Sequence, residues 1–165
     1  MLAMERAVTG HDLVDCPTTG YSRPAVDVVP FEPWHLRELA LQPSQLGLLS
    51  TLTIEHGCGL VQAGPSWSAM AGFDVIACAG VIEFWEGRAQ AWALLSAQFP
   101  QHVKSVHRAV RQFLQGYDVA RLECIVDPRD PRTVRWAEHL GFSYESTMPK
   151  YTPNGESQDM MVRLR

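Results

Sequence analysis

The chain has 165 residues, of which 46% are hydrophobic and 19% are charged, and a formal net charge of −4 at pH 7. This length predicts one domain, and the composition is typical of a soluble folded protein rather than a disordered one. The negative charge argues against nonspecific nucleic-acid binding, because the protein has no surplus of cations to displace the counterions of a phosphate backbone. No apolar run is long enough to span a membrane, and the first residues lack the pattern of a secretion signal.

The cysteines do not form a recognisable pattern. They are Cys16, Cys58, Cys78 and Cys124. Since they lie far apart and include no C-x-x-C pair, the sequence predicts neither a zinc site nor a disulfide framework. We therefore expect reduced thiols, no bound metal and a cytoplasmic location.

The first part of the chain predicts an arm outside the domain. Residues 1–24 mix Gly, Pro, Thr and Asp without a sustained hydrophobic period, which predicts an irregular segment. The domain is accordingly predicted over residues 25–165. It begins with a short apolar strand, Ala25–Phe31.

Two helices are predicted after this strand. The first starts around Pro33, because proline lacks only an N–H that the first helical turn does not use. The second starts at Pro43, carries Leu46 and Leu49 on its apolar side, and fades into the glycine-punctuated stretch 57–64.

A block of strands and a long helix follow. Strands are predicted in the segment SWSAMAG, over Phe73–Trp85 and over Ala89–Ser96, with a turn at Glu86-Gly87. The next helix is predicted from one continuous apolar stripe. Its members are Val103, Val106, His107, Val110, Phe113 and Leu114. His107 is expected to be a hydrogen-bonded core histidine rather than a catalytic one.

The last third predicts a strand, a short helix and a hairpin. Arg121–Val126 alternates as a strand, and Asp130-Pro131 starts a helix as an N-cap acceptor followed by proline. Gly141 suits the left-handed position after that helix, with Phe142 packing back in a Schellman ending. The hairpin consists of Ser143–Tyr151, the turn Pro153-Asn154-Gly155 and Ser157–Leu164. The predicted order is β-α-α-β-β-β-α-β-α-β-β.

This order, with the C-terminal segment DPRDPRTVRWAEHLGFSYESTMPKYTPNGESQDMMVRL, resembles the GNAT superfamily of acyl-CoA-dependent N-acyltransferases over residues 25–165. The middle segment CAGVIEFWEGRAQAWALLS is similar to versions of this fold in phage and prophage genomes. The resemblance implies an α/β (α+β) fold with a central mixed, twisted β-sheet of about six to seven strands, flanked by about four helices, in which strands 4 and 5 splay apart.

The resemblance also implies that acetyl-CoA is the co-substrate. Its pantetheine arm would lie between the splayed strands, here Gln90–Ser96 and Arg121–Val126, because unpaired backbone groups there can bind an amide-rich chain. The implied contacts are the backbone groups of Leu94, Leu95 and Ser96. The diphosphate would lie at the N-terminus of the following helix.

The sequence departs from the family pattern at this phosphate-binding loop. Family members carry glycines that let the backbone approach the phosphates, whereas residues 99–104 here contain none. We expect the helix N-terminus at Val103 to remain usable. We also expect His102, Lys104 and Arg108 to supply compensating positive charge.

The candidate catalytic residues are two carboxylates and a phenol. A general base must lie within about 3 Å of the amine, or one water away, and Glu83 and Glu123 are the candidates. The family's usual thiol acid is a tyrosine four residues before the glycine of Gly-Phe, which corresponds to Ala137 here. The candidate substitutes are Tyr144 and Ser96. For Glu83, Glu123 and Tyr144, an ordinary strand residue without a catalytic role is the alternative.

Three functions follow from the resemblance. The first is an acetyl-CoA-dependent N-acetyltransferase, in which the amine of a small molecule, a protein N-terminus or a lysine attacks the thioester. The second is a non-catalytic phage virion or ejection-associated protein that retains the fold and has a phage structural partner, located in the virion rather than the host cytoplasm. The missing glycines and helix tyrosine favour it. The third is a regulatory module that binds CoA without turnover.

Overall fold

The structure, a computed structural model, describes residues 25–165, so the arm predicted over residues 1–24 lies outside the described residues. The described chain forms one seven-stranded mixed sheet in the order β1-β2-β3-β4-β5-β7-β6. Its strands are β1 Val26–Pro30, β2 Ser66–Ala71, β3 Asp74–Trp85, β4 Arg88–Leu95, β5 Arg121–Val126, β6 Ser143–Met148 and β7 Gln158–Leu164. The helices are α1 His35–Glu38, α2 Ile54–Ala63, α3 Phe99–Gly116 and α4 Pro131–His139, with a 3-10 helix at Pro43–Thr51. The predicted fold class and order of elements are confirmed.

Helices cover both faces of the sheet. Leu36 of α1 packs in a buried cluster with Leu94 of β4. Val106 of α3 packs in a second cluster with Leu95, the next residue of the same strand. Since neighbouring residues of a strand point to opposite faces, α1 and α3 lie on opposite faces. α2 packs beside α1, and α4 shares a third cluster with α3.

The second predicted helix is displaced along the chain. Residues Pro43–Thr51 form a 3-10 helix without a buried residue, and the α-helix begins only at Ile54. Thr53 caps it, because its hydroxyl accepts the N–H of His56 at 3.1 Å. Residues 57–63, where the sequence predicted that the helix would end, are therefore helical. Gly57 is required there, because a Cβ would lie 2.7 Å from the Cα of Pro33.

The buried stripe of α3 also differs from the prediction at its first turn. His102 is buried, whereas Val103 is 37% exposed. Val106 and Leu114 are buried as predicted. The helix is thus rotated at its start so that His102 faces the protein and Val103 does not.

The end of α4 confirms the Schellman ending. Gly141 adopts a φ of 91°, and its N–H donates to the carbonyl of Glu138 at 2.9 Å. The N–H of Phe142 donates to the carbonyl of Ala137 at 3.1 Å, and both residues pack in one cluster. The hairpin turn is confirmed as well, with Gly155 at a φ of 76°.

The two glycines of α2 offer a matched test of this packing. Gly57→Ala is expected to destabilise the protein, because the new methyl group would collide with the backbone of Pro33. Gly59→Ala is expected to stabilise it by about 0.5–1 kcal/mol, since Gly59 has no neighbour within 4 Å and alanine is the better helix former. Urea unfolding measures both. Equal effects of the two substitutions would contradict the close contact between α2 and Pro33.

Candidate functional site

β4 and β5 are joined at one end and open at the other. They run parallel and pair only from Arg88↔Arg121 to Gln90↔Glu123. Beyond Gln90 no backbone pairing connects them, so the predicted splay is present. A cavity of about 820 Å³ occupies the opening.

The cavity is bordered by elements from both faces of the sheet. On one face its lining includes Phe113, Leu114, Trp136 and Ala137 of α3 and α4. On the other it includes Trp92, which packs against the cluster that contains Leu36 of α1. The lining also includes Gln45, Leu48, residues 151–154, Glu156 and Gln158. A chain-like ligand can therefore pass between the two strands from one face to the other.

The free edge of β4 is already hydrogen-bonded by a short segment, Ala40–Gln45, which we call the strap. The side-chain amide of Gln45 donates to the carbonyl of Ala93 at 2.9 Å and accepts the N–H of Leu95 at 2.8 Å. The N–H of Gln42 donates to the carbonyl of Leu95 at 2.9 Å. The strap thus takes the place of a neighbouring strand where β5 has moved away.

The strap affects the predicted cofactor contacts directly. Besides the bonds to Leu95, the N–H of Ala97 donates to the carbonyl of Ala40 at 2.8 Å. Leu94 pairs with Cys78 of β3 on the opposite edge of β4. The N–H of Ser96 donates to the carbonyl of Ile76 at 2.9 Å. The backbone groups predicted to hold the cofactor at Leu94, Leu95 and Ser96 therefore have partners within the protein.

The backbone N–H groups at the junction between β4 and α3 also have hydrogen-bond acceptors within the protein. The N–H of Gln98 donates to the hydroxyl of Ser96 at 3.2 Å, and the N–H of Phe99 to the carbonyl of Ser96 at 3.0 Å. The N–H of Gln101 donates to the carbonyl of Gln98 at 2.9 Å, while Pro100 has no N–H. Residues 98–101 therefore present no free backbone donor to an anion, contrary to the expected helix N-terminus.

The predicted cationic residues divide into two groups. Lys104 and Arg108 are exposed on α3 and are able to attract an anion from solvent. His102 is buried and does not contribute to that exposed surface. Val103 contributes an exposed apolar surface beside Lys104.

Two indole groups of the cavity differ in their hydrogen bonding. Nε1 of Trp136 donates to Nδ1 of His107 at 3.1 Å, which confirms His107 as a satisfied histidine. Nε1 of Trp92 is buried without a hydrogen-bond partner among the described residues. The ring of Trp92 packs edge-on against Phe31, with the centroids 5.6 Å apart. A buried N–H without a hydrogen-bond partner is unfavourable for stability.

Glu123 lies at the joined end of β4 and β5 and is buried rather than solvated, with 2% of its surface exposed. Its carboxylate accepts hydrogen bonds from Arg88 at 2.7 and 3.1 Å and from Arg121 at 2.5 Å. Arg121 also pairs with Glu145. The two guanidinium groups hold the pKa of Glu123 below its usual value, with Arg88 as the larger cause. A carboxylate with a lowered pKa is a weak proton acceptor. Its ion pairs with Arg88 and Arg121 indicate a structural role for Glu123.

The other two candidate catalytic residues also lie outside the cavity lining. Glu83 is exposed on β3 and accepts a hydrogen bond from the hydroxyl of Tyr117 at 2.7 Å. Tyr144 is 60% exposed on β6, with its hydroxyl 3.0 Å from that of Thr147. In the described conformation none of the three predicted residues lines the cavity.

An ion-pair cluster that the sequence does not predict lies at the cavity. Arg129 donates to Asp127 at 2.7 Å and to Glu156 at 2.7 Å, and all three residues line the cavity. Arg129 lowers the pKa of both carboxyl groups, so both remain ionised. This cluster joins the end of β5 to the β6–β7 turn. No sequence signal predicts it, because Asp127 and Glu156 are distant in the chain.

The two cysteines that lie in strands, Cys78 and Cys124, pack in hydrophobic clusters. Burial raises the pKa of Cys78 to about 11 and that of Cys124 to about 12. Both thiols therefore stay protonated at neutral pH. Within residues 25–165 no group of three or more His, Cys, Asp or Glu side chains is arranged to hold a metal ion. None of the described helices is long and apolar enough to cross a membrane.

Solved acetyltransferases share this architecture. Ard1 from Thermoplasma volcanium superposes with a TM-score of 0.71 at 14% identity, over 85% of this chain and 97% of that one. An IAA acetyltransferase from Bacillus cereus gives 0.63 at 15% identity, over 86% and 100%. An acetyltransferase of the GNAT family from Streptococcus pneumoniae gives 0.62 at 13% identity, over 85% and 99%.

The similarity lies in the fold rather than in the sequence. No family model matches the chain, and no curated protein matches it. The seven-stranded sheet with parallel, diverging β4 and β5 is the GNAT fold that the C-terminal segment predicts. The structural similarity therefore establishes the fold.

Substitution of Glu123 tests its structural role. Glu123→Gln is expected to destabilise the protein at pH 7, because it removes the charge of a buried carboxylate that binds two partly exposed guanidinium groups. The lowered pKa means that the carboxylate contributes stability above the usual Glu pKa, and that this contribution is lost as the pH falls from the usual pKa to the lowered one. The difference between wild type and variant should therefore shrink on acidification. Denaturant unfolding at several pH values measures it.

Glu145→Gln is the matched control. Glu145 binds the same Arg121 but is more exposed, so its removal should cost much less. An equal loss in both variants, or a loss for Glu123→Gln that does not depend on pH, would contradict the buried ion pair.

Proposed function

We propose that the protein binds acetyl-CoA in the opening between β4 and β5 and transfers the acetyl group to an amine. The observation that supports this most is the divergence of the two parallel strands after Gln90↔Glu123, above a cavity that connects both faces of the sheet. The fold shared with solved acetyltransferases supports the same class of reaction. The acceptor is a primary amine of a small molecule, a protein N-terminus or a lysine.

The cavity suits the arm of the cofactor better than its phosphates. Its lining combines apolar groups such as Phe113, Leu114 and Trp136 with backbone at the strand opening, which fits an extended amide-bearing chain. The phosphates have no backbone cradle at residues 98–101, so Lys104 and Arg108 would bind them through charge alone. We therefore expect acetyl-CoA to bind weakly for this fold.

The reaction would be a direct attack of a neutral amine on the thioester carbonyl, forming the amide bond and releasing the thiolate. Acetyl-CoA supplies the activated acyl group. The chain supplies position and exclusion of water within the apolar part of the cavity. Because Glu83, Glu123 and Tyr144 lie outside the lining, the amine's proton would pass to solvent at the hairpin side, where Tyr151 is 49% exposed.

A second candidate function is a protein that keeps the fold without turnover. The saturated junction at residues 98–101 and the strap across β4 favour it, because both remove donors that a bound cofactor would use. A phage virion component located outside the cytoplasm is the form of this candidate that the middle segment suggests. A module that binds CoA without transfer lies between the two.

A titration with acetyl-CoA separates these functions. Full-length protein is expected to bind it with a micromolar dissociation constant, equivalent to about −7 to −8 kcal/mol. Isothermal calorimetry measures the binding, and a thiol-reactive dye measures release of free CoA in the presence of a small amine, a lysine peptide or a free peptide N-terminus. Heat with no thiol release for any acceptor would favour the regulatory module. A flat titration at millimolar ligand would favour the non-catalytic protein.

Charge reversal on α3 tests where the phosphates lie. Lys104→Glu and Arg108→Glu are each expected to weaken acetyl-CoA binding about three- to tenfold at low salt, because the new carboxylate repels phosphate, and less at high salt. Both residues are exposed, so the fold should be unaffected. Arg37→Glu on α1, on the opposite face of the sheet, is the control with the same change in net charge. Equal weakening in all three variants would show that only the net charge matters.

A further inference from the structure

The outermost strand of the sheet, β1, is poorly covered. It pairs with β2 along one edge, and no strand within residues 25–165 pairs with its other edge. Three of its five residues are valines, yet none of the five is buried, and Val28 is 53% exposed. Native proteins often cover a sheet edge with a helix or a loop. Residues 25–165 supply no such cover for β1.

An apolar groove, which we call the β1–α3 groove, lies between this strand and the second half of α3. Its volume is about 520 Å³. Its lining includes Val28 of β1, Trp67 of β2 and, on α3, Ala109, Gln112, Phe113 and Gly116. The hydroxyl of Tyr117, which also lines it, already donates to Glu83 at 2.7 Å. Small-ligand pockets normally combine apolar walls with several convergent polar groups. This groove therefore suits an apolar stretch of polypeptide better than a small polar ligand.

The chain itself can supply that stretch. Residues 1–24 lie outside the described residues and join the fold at Ala25, three residues before Val28 of the groove. Val26 lies twelve residues after Val14, a span of up to about 40 Å when extended. Residues 109–116 of α3 extend over only about 11 Å. A segment joined by a short linker also has an effective concentration in the millimolar range, which favours it over a second copy of the chain.

The composition of residues 1–24 narrows the occupant to one short segment. Residues 12–15, Asp-Leu-Val-Asp, place an apolar pair between two carboxylates. The other apolar run, residues 1–4, is followed by Glu5 and Arg6, whose charges cancel. Residues 12–15 therefore combine an apolar surface with a net negative charge.

The helix beside the groove has the complementary charge. α3 carries Lys104, Arg108 and Arg111 and no Asp or Glu. Arg108 precedes Gln112 by four residues, so the two are neighbours on the helix surface, and Gln112 lines the groove. An apolar pair flanked by carboxylates thus matches an apolar groove beside a cationic helix.

We propose that residues 12–15 dock in the β1–α3 groove of the same chain, with Leu13 and Val14 inside and the two carboxylates beside the cations of α3. Docking there covers Val28 and the free edge of β1. The inference goes beyond the proposed function and requires neither acetyl-CoA nor acyl transfer.

A spin label on the ¹⁵N-labelled full chain tests the docking. The Cys58→Ala variant removes an exposed thiol, and the thiols of Cys78 and Cys124 stay protonated, so a nitroxide reagent attaches to Cys16 beside the proposed segment. The amide signals of Ala109 and Gly116 should lose most of their intensity and regain it when the label is reduced. The signals of β6, at the opposite edge of the sheet, should keep theirs.

Two results of this measurement would overturn the proposal. One is an undiminished signal at Ala109 and Gly116. The other is an equal loss when the spin-labelled chain without ¹⁵N is mixed with the ¹⁵N chain without a label, because the segment would then come from a neighbouring copy.

Substitutions in residues 1–24 identify the docked segment. Leu13→Asp should lower the docking equilibrium constant about tenfold or more, because a carboxylate replaces an apolar side chain that the groove buries. The Ala109 signal should then recover. Leu2→Asp makes the same change outside the segment and should leave the loss of intensity unchanged. Any other pattern of recovery would overturn the assignment to residues 12–15.

Filling the groove provides the reciprocal test. A Cβ at Gly116 would have no neighbour within 4 Å, so the side chain of Gly116→Leu can occupy the space that the segment needs. The Ala109 signal should recover in this variant. Gly59→Leu on α2 is the control, because Gly59 also has no neighbour within 4 Å and does not line the groove. A loss of intensity that persists in Gly116→Leu would overturn the use of this groove. A melting curve checks that each variant remains folded.

Discussion

The pairing of β4 with β5 is the constraint on which the site depends. It covers only the pairs from Arg88↔Arg121 to Gln90↔Glu123 and then ends. A buried carboxylate, Glu123, binds both arginines at this joined end and holds the two strands together there. Because the strands are held at one end and covered by helices on opposite faces, their other ends are free to diverge. The cavity is the direct result.

Divergence leaves backbone groups that need partners, and the chain resolves this differently on the two strands. On β4 the strap supplies a carbonyl, an N–H and the side-chain amide of Gln45, which has the same donor and acceptor pair as a peptide bond. On β5 the pairing with β4 ends at Glu123, and Ile125 lines the cavity. A sheet with a fully closed opening would have no site, and one with two open edges would leave more polar groups unpaired. The structure lies between these limits.

The absence of glycine after β4 leaves no backbone cradle for an anion. Without glycine the backbone cannot approach an anion closely, and here the N–H groups of Gln98, Phe99 and Gln101 bond to nearby acceptors instead. The junction becomes a compact turn into α3, with His102 buried beneath it. Any phosphate must then be held by side chains on the surface of α3. This separates the arm-binding part of the site, which is built into the sheet, from the phosphate-binding part, which is not.

The sequence by itself determined the order of elements and the ending of α4, because these depend on local patterns: hydrophobic period, caps, and the left-handed Gly141. Through the family resemblance it also indicated the class of fold and the splay of β4 and β5. It placed the second helix at Pro43 rather than at Ile54, because the glycines of α2 suggest a break until the contact of Gly57 with Pro33 is known. Only the tertiary structure decided the roles of Glu123 and Gln45. A strand glutamate and a loop glutamine have the same local sequence signal whether they face solvent or a partner. Their partners, Arg88 and the backbone of β4, lie 35 and up to 50 residues away and are brought close only by the pairing of the sheet.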